Sequence, residues 1–284
     1  MTAELADFPD IHLAAARFPS HIKLAEHQRA RACDWRPTRA GWCDVGPTPA
    51  TPAGYEATGV VAEFVGRMCD YLARHAPPGR LGASLAVETT LARACWVLNE
   101  WESAYRSGRL DLDYTTDDVT DLLALAPDHV VTELLALATR AHTSGALIQL
   151  RALAGDPPPG QPLGLAGPVF VAHWADGDLL VGDTLIDVKT VAHARNQTRT
   201  ASWLHQLLAY TWLDGPDRYR IRRVGLYFAR HGVLLIWPIT QFTHALLDTT
   251  DPDTVASVYR EFRQVAGQAI TDAGADPTPA LSTR

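Results

Sequence analysis

Residues 175–190 read ADGDLLVGDTLIDVKT, and their pattern decides the fold. Two apolar runs flank Gly182-Asp183, and a two-residue Gly-Asp link between such runs predicts a β-hairpin. With that turn, Val181 pairs with Thr184, Leu180 with Leu185, Leu179 with Ile186 and Asp178 with Asp187. Directly opposed residues share a face, with Cβ atoms about 4.5–5.5 Å apart. Lys189 lies two positions beyond Asp187 and joins the same face.

The hairpin therefore gathers two carboxylates and an ammonium. Two carboxylates that close repel unless a cation compensates them. Lys189 supplies half of that compensation, and a divalent metal would supply the rest. Oxygen-only ligation of this kind suits Mg²⁺ or Mn²⁺, which keep waters and complete their shell with phosphate oxygens. The plainer reading is a surface hairpin with a solvated polar face. Two features weigh against it. The strands are otherwise strongly apolar, as in a covered pair. Moreover, only two of the 25 basic residues are lysine, Lys23 and Lys189. In a chain that uses arginine almost everywhere, a compact ammonium at this position stands out chemically.

Outward from the hairpin, the spacing predicts a strand over 168–174 before it and a helix over about 199–213 after it. That helix places Gln206 and Tyr210 four residues apart, on one face. A strand pair over 221–229 and 233–239 follows, turning at Arg230-His231-Gly232. A last helix opens at Asp251-Pro252. The Ala/Pro/Thr-rich tail, 271–284, reads as disordered. Upstream, helical patterns occupy 57–75, 84–106, 117–126 and 128–153, with Val61, Phe64, Val65, Met68 and Leu72 on one face of the first. The expected organisation is a mainly helical region over 1–155, an α/β core over 156–270 and the tail.

Asp178, then Asp187-Val188-Lys189, then Gln206-x₃-Tyr210, on strand, strand and helix, resembles the PD-(D/E)xK nuclease superfamily in its RecB-like branch. The resemblance covers about residues 165–240. It implies an α/β fold with a restriction-endonuclease-like αβββαβ core, a mixed central sheet and the N-terminal helical region packed on it. It further implies a Mg²⁺- or Mn²⁺-dependent nuclease that hydrolyses phosphodiester bonds, with DNA favoured over RNA. Asp178 and Asp187 would hold the metal, with the Val188 carbonyl as a further ligand. Lys189 would position the attacking water or stabilise the phosphorane, with Gln206 and Tyr210 as an accessory pair. Gly59-Val60-Val61-Ala62-Glu63 matches the G-x₃-[HED] element from which such proteins draw another ligand, Glu63. Equally, Glu63, Arg67, Asp70 and Arg74 form a stripe of i,i+4 ion pairs on a solvated face. The alternative within the same fold is a catalytically inactive module that binds nucleic acid or a protein partner.

Departures from the family pattern and composition bound these expectations. Gly177, not proline, precedes Asp178. Cysteine occurs at 33, 43, 69 and 95 and not beyond, so an iron–sulfur cluster after the core is not expected. There is no P-loop motif, so any motor or targeting function would come from a protein partner. His193, His205 and His231 read as hydrogen-bonded fillers, Trp203, Trp212 and Tyr227 as packing residues, and Glu88 and Glu100 as ordinary helix acids. The formal net charge is −7, yet residues 188–231 hold eight basic residues against Asp214 and Asp217. A basic zone on an acidic chain fits a site that holds an anion. The first ten residues carry Glu4, Asp7 and Asp10 without a basic residue, and no apolar run is long enough to span a bilayer. The expected address is the cytoplasm, without membrane contact.

Overall fold

The computed structural model describes residues 35–38, 41–44, 63, 64, 67, 68, 70, 71, 74, 75, 81–107, 118–158, 163–171 and 174–282. The chain is α/β and divides into two compact units, Met1–Ala166 and Gly167–Arg284. The boundary between these units falls eleven residues after the composition break at 155.

The first unit is not purely helical. Strands β1 (Trp35–Thr38) and β2 (Gly41–Asp44) pair as an antiparallel hairpin. Helices α1 (Leu85–Ser107), α2 (Val119–Ala124), α3 (Asp128–Thr143) and α4 (Ala146–Leu153) follow, then the short strand β3 (Gly164–Ala166). The described positions at 63–75 are helical, and Phe64 and Met68 are buried as their shared face requires. Val61, Val65 and Leu72 lie outside the described residues. Phe64 and Met68 join Ala92, Val97, Leu122, Val131 and Leu134 in one apolar cluster. Arg93 ties three helices together, donating to the Ala126 carbonyl at 2.8 Å and pairing with Asp128 at 2.6 Å. Asp118 caps α2 by accepting from the Thr120 N–H at 2.5 Å. The single helix expected over 128–153 is two, because Gly145 adopts φ 80° and interrupts the ladder.

The second unit carries the predicted hairpin. Strands β4 (Val169–Val171) and β5 (Ala175–Asp176) form a small antiparallel pair. Strands β6 (Leu179–Val181) and β7 (Thr184–Lys189) pair in the register that a two-residue turn dictates, Leu179 with Ile186, Leu180 with Leu185 and Val181 with Thr184. Helix α5 (Gln197–Leu213) then crosses over, so that β8 (Arg223–Phe228) lies parallel to β7, and β9 (Val233–Pro238) closes antiparallel on β8. The sheet is therefore mixed. β6, β7 and β8 are apolar and almost wholly buried, as strands covered on both faces must be, whereas β9 alternates towards solvent as an edge.

Helix α6 (Ile239–Leu247) was not anticipated; it follows Pro238 directly, with no side chain capping it. Helix α7 (Pro252–Asp272) starts as expected, with Asp251 accepting from Thr254 N at 3.0 Å. The expectation of a disordered tail is overturned for residues 271–282. There α8 (Thr278–Leu281) buries Ala280, whose carbonyl accepts the Gly215 N–H at 3.0 Å, and Arg263 donates to the Leu281 carbonyl.

Candidate active site

The site begins where the hairpin ladder ends. Asp178 precedes the first paired residue of β6, and its carboxylate accepts the Val188 N–H at 2.6 Å. The side chain thus extends the pairing by one step in place of backbone. On the other edge of β7, the Lys189 carbonyl accepts the Ala229 N–H at 3.1 Å. Successive carbonyls of a strand point to opposite edges, so the Val188 carbonyl points towards Asp178. Gly177 is explained by crowding: a Cβ there would sit 3.0 Å from Leu185 Cδ1 and 3.2 Å from Pro168 Cγ.

Leu185, Asp187 and Lys189 alternate onto the face covered by α5. Asp187 is only 4% exposed and ion-pairs through Oδ2 with the Lys189 ammonium. Lys189 also donates to Gln206 Oε1 at 3.3 Å, and Gln206 Nε2 donates to the Tyr210 hydroxyl at 2.8 Å. Asp187, Lys189, Gln206 and Tyr210 are therefore linked side chain to side chain, and Asp178, just before β6, reaches the same stretch of β7 through the Val188 N–H.

Their electrostatics follow from burial. Loss of solvent raises the Asp187 carboxyl to about 6, the charge of Asp178 adds to this, and Lys189 opposes it. Tyr210 is pushed up to about 12, first by burial, and then by the charges of Asp176, Asp187 and Asp178 against the Gln206 hydrogen bond. Asp178 and Asp187 thus place two carboxylates beside the Lys189 ammonium. That is the condition under which hard-oxygen donors take up a cation. Asp178, Asp187 and the Val188 carbonyl fit Mg²⁺ or Mn²⁺, which need only one or two carboxylates beside water and phosphate. No group of three or more His, Cys, Asp and Glu side chains suited to a metal occurs among the described residues.

Glu63 lies in the first unit, where it pairs with Arg67 at 2.5 Å across one helical turn, its side chain 45% exposed. Glu88 is buried and accepts the Gly82 N–H, a local structural bond. His193, His205 and His231 are exposed, and His231 Nε2 meets the Ala192 carbonyl at 3.1 Å. Trp203 and Tyr227 are buried, and Trp212 packs edge-on against Tyr259 and Phe262.

Three features escaped the sequence. Phe170 stacks on Tyr210 at 5.3 Å and 14°, and Tyr219 meets the same phenyl ring edge-on, its hydroxyl donating to the Val169 carbonyl at 2.7 Å. Asp176 acts on the Tyr210 hydroxyl electrostatically. Trp203 carries two cations, Lys189 Nζ at 5.6 Å and the Arg199 guanidinium at 5.3 Å from its ring centroid. Only the last left a trace in the sequence, the i,i+4 spacing of Arg199 and Trp203. No family model, curated protein or solved structure matches the chain.

Proposed function

We propose that this protein is a metal-dependent nuclease of the PD-(D/E)xK superfamily, RecB-like branch, hydrolysing phosphodiester bonds, with DNA as the favoured polymer. The reading rests above all on Lys189, whose ammonium joins the Asp187 carboxylate to the Gln206 amide oxygen beside Asp178.

Asp178 and Asp187 would hold Mg²⁺ or Mn²⁺ with the Val188 carbonyl. The bound ion would lower the pKa of a water and neutralise charge on phosphate oxygens. Lys189, held at the rim of the carboxylate pair, donates its protons to the attacking water or to the oxygens on which charge grows. Gln206 fixes where that ammonium points. Tyr210 fixes Gln206 in turn, its hydroxyl oxygen accepting the amide N–H at 2.8 Å. Glu63 would be a further ligand by family resemblance alone; its ion pair with Arg67 accords with a solvated helix face.

A second reading, a catalytically inactive module binding nucleic acid or a protein partner, draws on one observation. Lys189 itself already engages Asp187, which a self-neutralised relic would also display. Titration with Mn²⁺ separates the two. The nuclease reading expects a Mn²⁺ site in the wild type that is lost in Asp187→Asn; a folded wild type that binds no Mn²⁺ overturns it.

A further inference from the structure

Five of the eight basic residues of segment 188–231 fall into two groups by position. In the loop before β8 and at its first residue, Arg222 grips Asp217 through two bonds of 2.8 Å, and Arg223 pairs with Asp183 at 2.5 Å. Asp183 is the turn residue before β7, so both arginines serve the end of the sheet where β7 and β8 begin. The other set lies where β7 and β8 end. There Lys189 occupies the site, and the exposed residues Arg195 and Arg199 lie on the connection into α5 and on its first turn. Among the described residues, neither Arg195 nor Arg199 lies within ion-pair distance of a carboxylate. Arg220, exposed before β8, also has no ion pair among the described residues, so the segment's unpaired charge is shared between that end and Arg195 and Arg199 on the side of the candidate active site.

Arg199 is the better placed of the two. Asn196 caps α5 by accepting the Arg199 N–H at 2.9 Å, which fixes the residue at the helix start. Its guanidinium lies over the Trp203 indole at 5.3 Å, and the same indole receives Lys189 Nζ at 5.6 Å. Trp203 is itself held from the side by Phe228, at 6.1 Å and 63°. A cation over an aromatic face keeps its N–H groups available as donors, and the planar guanidinium can grip a phosphate with two of them. Because both cations contact one ring, they are no further apart than the two ring distances together. Phosphates of one strand, advancing about 3.4 Å per nucleotide along a duplex axis, fall within that span.

We propose that Arg199, held on Trp203, binds a phosphate of the substrate strand next to the one that reaches Lys189, so that the site is built for a polynucleotide and not for an isolated phosphodiester. The inference rests on the nuclease reading for its catalytic consequence, and on the shared contact of Arg199 and Lys189 with Trp203 for the contact itself. Arg199 does not touch the reacting atoms. It is a positioning residue, and its effect is confined to substrates that possess a neighbouring phosphate.

The test compares wild type with Arg199→Gln on two substrates, a labelled oligodeoxynucleotide and bis(p-nitrophenyl) phosphate, which has no neighbouring phosphate. The oligonucleotide KM is expected to rise roughly tenfold with kcat little changed, as for loss of one phosphate contact. Hydrolysis of the small diester is expected to stay within about twofold of wild type. Equal losses on both substrates, or no loss on either, overturn the proposal. Oligonucleotide binding in Ca²⁺ across a salt series provides the independent readout. The log–log salt slope of Arg199→Gln is expected to be shallower by about 0.7–0.9, and identical slopes overturn the contact. If the wild type hydrolyses neither substrate, the nuclease reading fails, while the salt slopes still decide the phosphate contact.

Discussion

The Asp178 carboxylate accepts the Val188 backbone N–H at 2.6 Å, one step beyond the last backbone pair of the hairpin. The same side chain is thus a structural strap and a candidate metal ligand, and the two roles separate by mutation. Asp178→Ala leaves the Val188 N–H without its acceptor and is expected to cost about 1–3 kcal/mol of stability. Asp178→Asn keeps an acceptor and removes the charge. It is expected to melt within a few degrees of wild type while losing Mn²⁺ affinity. Thermal denaturation and Mn²⁺ titration of both variants check this.

Tyr210 acts through its hydroxyl on Gln206 and through its ring on Phe170. Tyr210→Phe keeps the stack and deletes one hydrogen bond, for which a net effect of about 1 kcal/mol is usual. A fall in kcat of up to roughly tenfold with little change in Tm is expected. Phe170→Ala removes the ring beneath and is expected to destabilise by about 3–5 kcal/mol. Steady-state kinetics beside melting curves distinguish the two outcomes.

Asp214 caps α5 at its C-terminus and accepts the N–H groups of Arg218 and Tyr219 at 2.8 and 3.0 Å. Burial nonetheless raises its carboxyl from 3.8 to about 7, with the charge of Asp217 adding to it and the backbone bonds opposing it. The negative end of the helix dipole acts in the same direction. A folded-state pKa above the unfolded one means that the folded chain holds the proton more tightly. The stabilisation is complete below pH about 4 and disappears as pH rises through about 7. Asp214→Asn keeps an acceptor and cannot ionise. The stability difference between wild type and Asp214→Asn is therefore expected to move in favour of the variant between pH 5 and 8, by a few kcal/mol. Denaturant titrations at a series of pH values measure it.

A Cβ at Gly215 would sit 2.6 Å from the Ala280 carbonyl oxygen and 2.8 Å from that of Ser282, both backbone atoms. Neither can give way as a flexible side chain would. Gly215→Ala is therefore expected to displace the C-terminal segment, lowering Tm and opening residues 275–282 to proteolysis. Limited digestion with mass analysis, wild type beside variant, reads this directly.

Much of the fold around the site was legible because one turn fixes it. Gly182-Asp183 sets the pairs Leu179–Ile186, Leu180–Leu185 and Val181–Thr184 as expected, whereas the expected Asp178–Asp187 pair lies outside that ladder and Asp178 instead reaches the Val188 N–H. The approach of Gln206 to Lys189 is a different matter. Periodicity places Gln206 and Tyr210 on one side of a helix but does not say which face of the sheet that side meets; only the family resemblance linked them. Phe170 beneath Tyr210 comes from a separate small strand pair and left no local signal. The helix after Pro238 lacked a capping side chain, and the hairpin of β1 and β2 is too short for alternation to mark it. The uneven charge of residues 188–231 was visible, but not its division. Asp217 and Asp183 neutralise two of its arginines, and Asp183 is close only because β7 and β8 run parallel.

The central claim is that Asp178, Asp187 and Lys189 form a metal-dependent phosphodiester-cleaving centre. Incubation of end-labelled single- and double-stranded DNA and RNA with the wild type, in Mg²⁺, in Mn²⁺ and in EDTA, beside Lys189→Ala, tests it most directly. Cleavage of DNA is expected that needs the metal, stops in EDTA and falls by about 10² or more in Lys189→Ala. Cleavage that persists in EDTA or in Lys189→Ala, or a folded wild type that cuts no polymer under either metal, would contradict it.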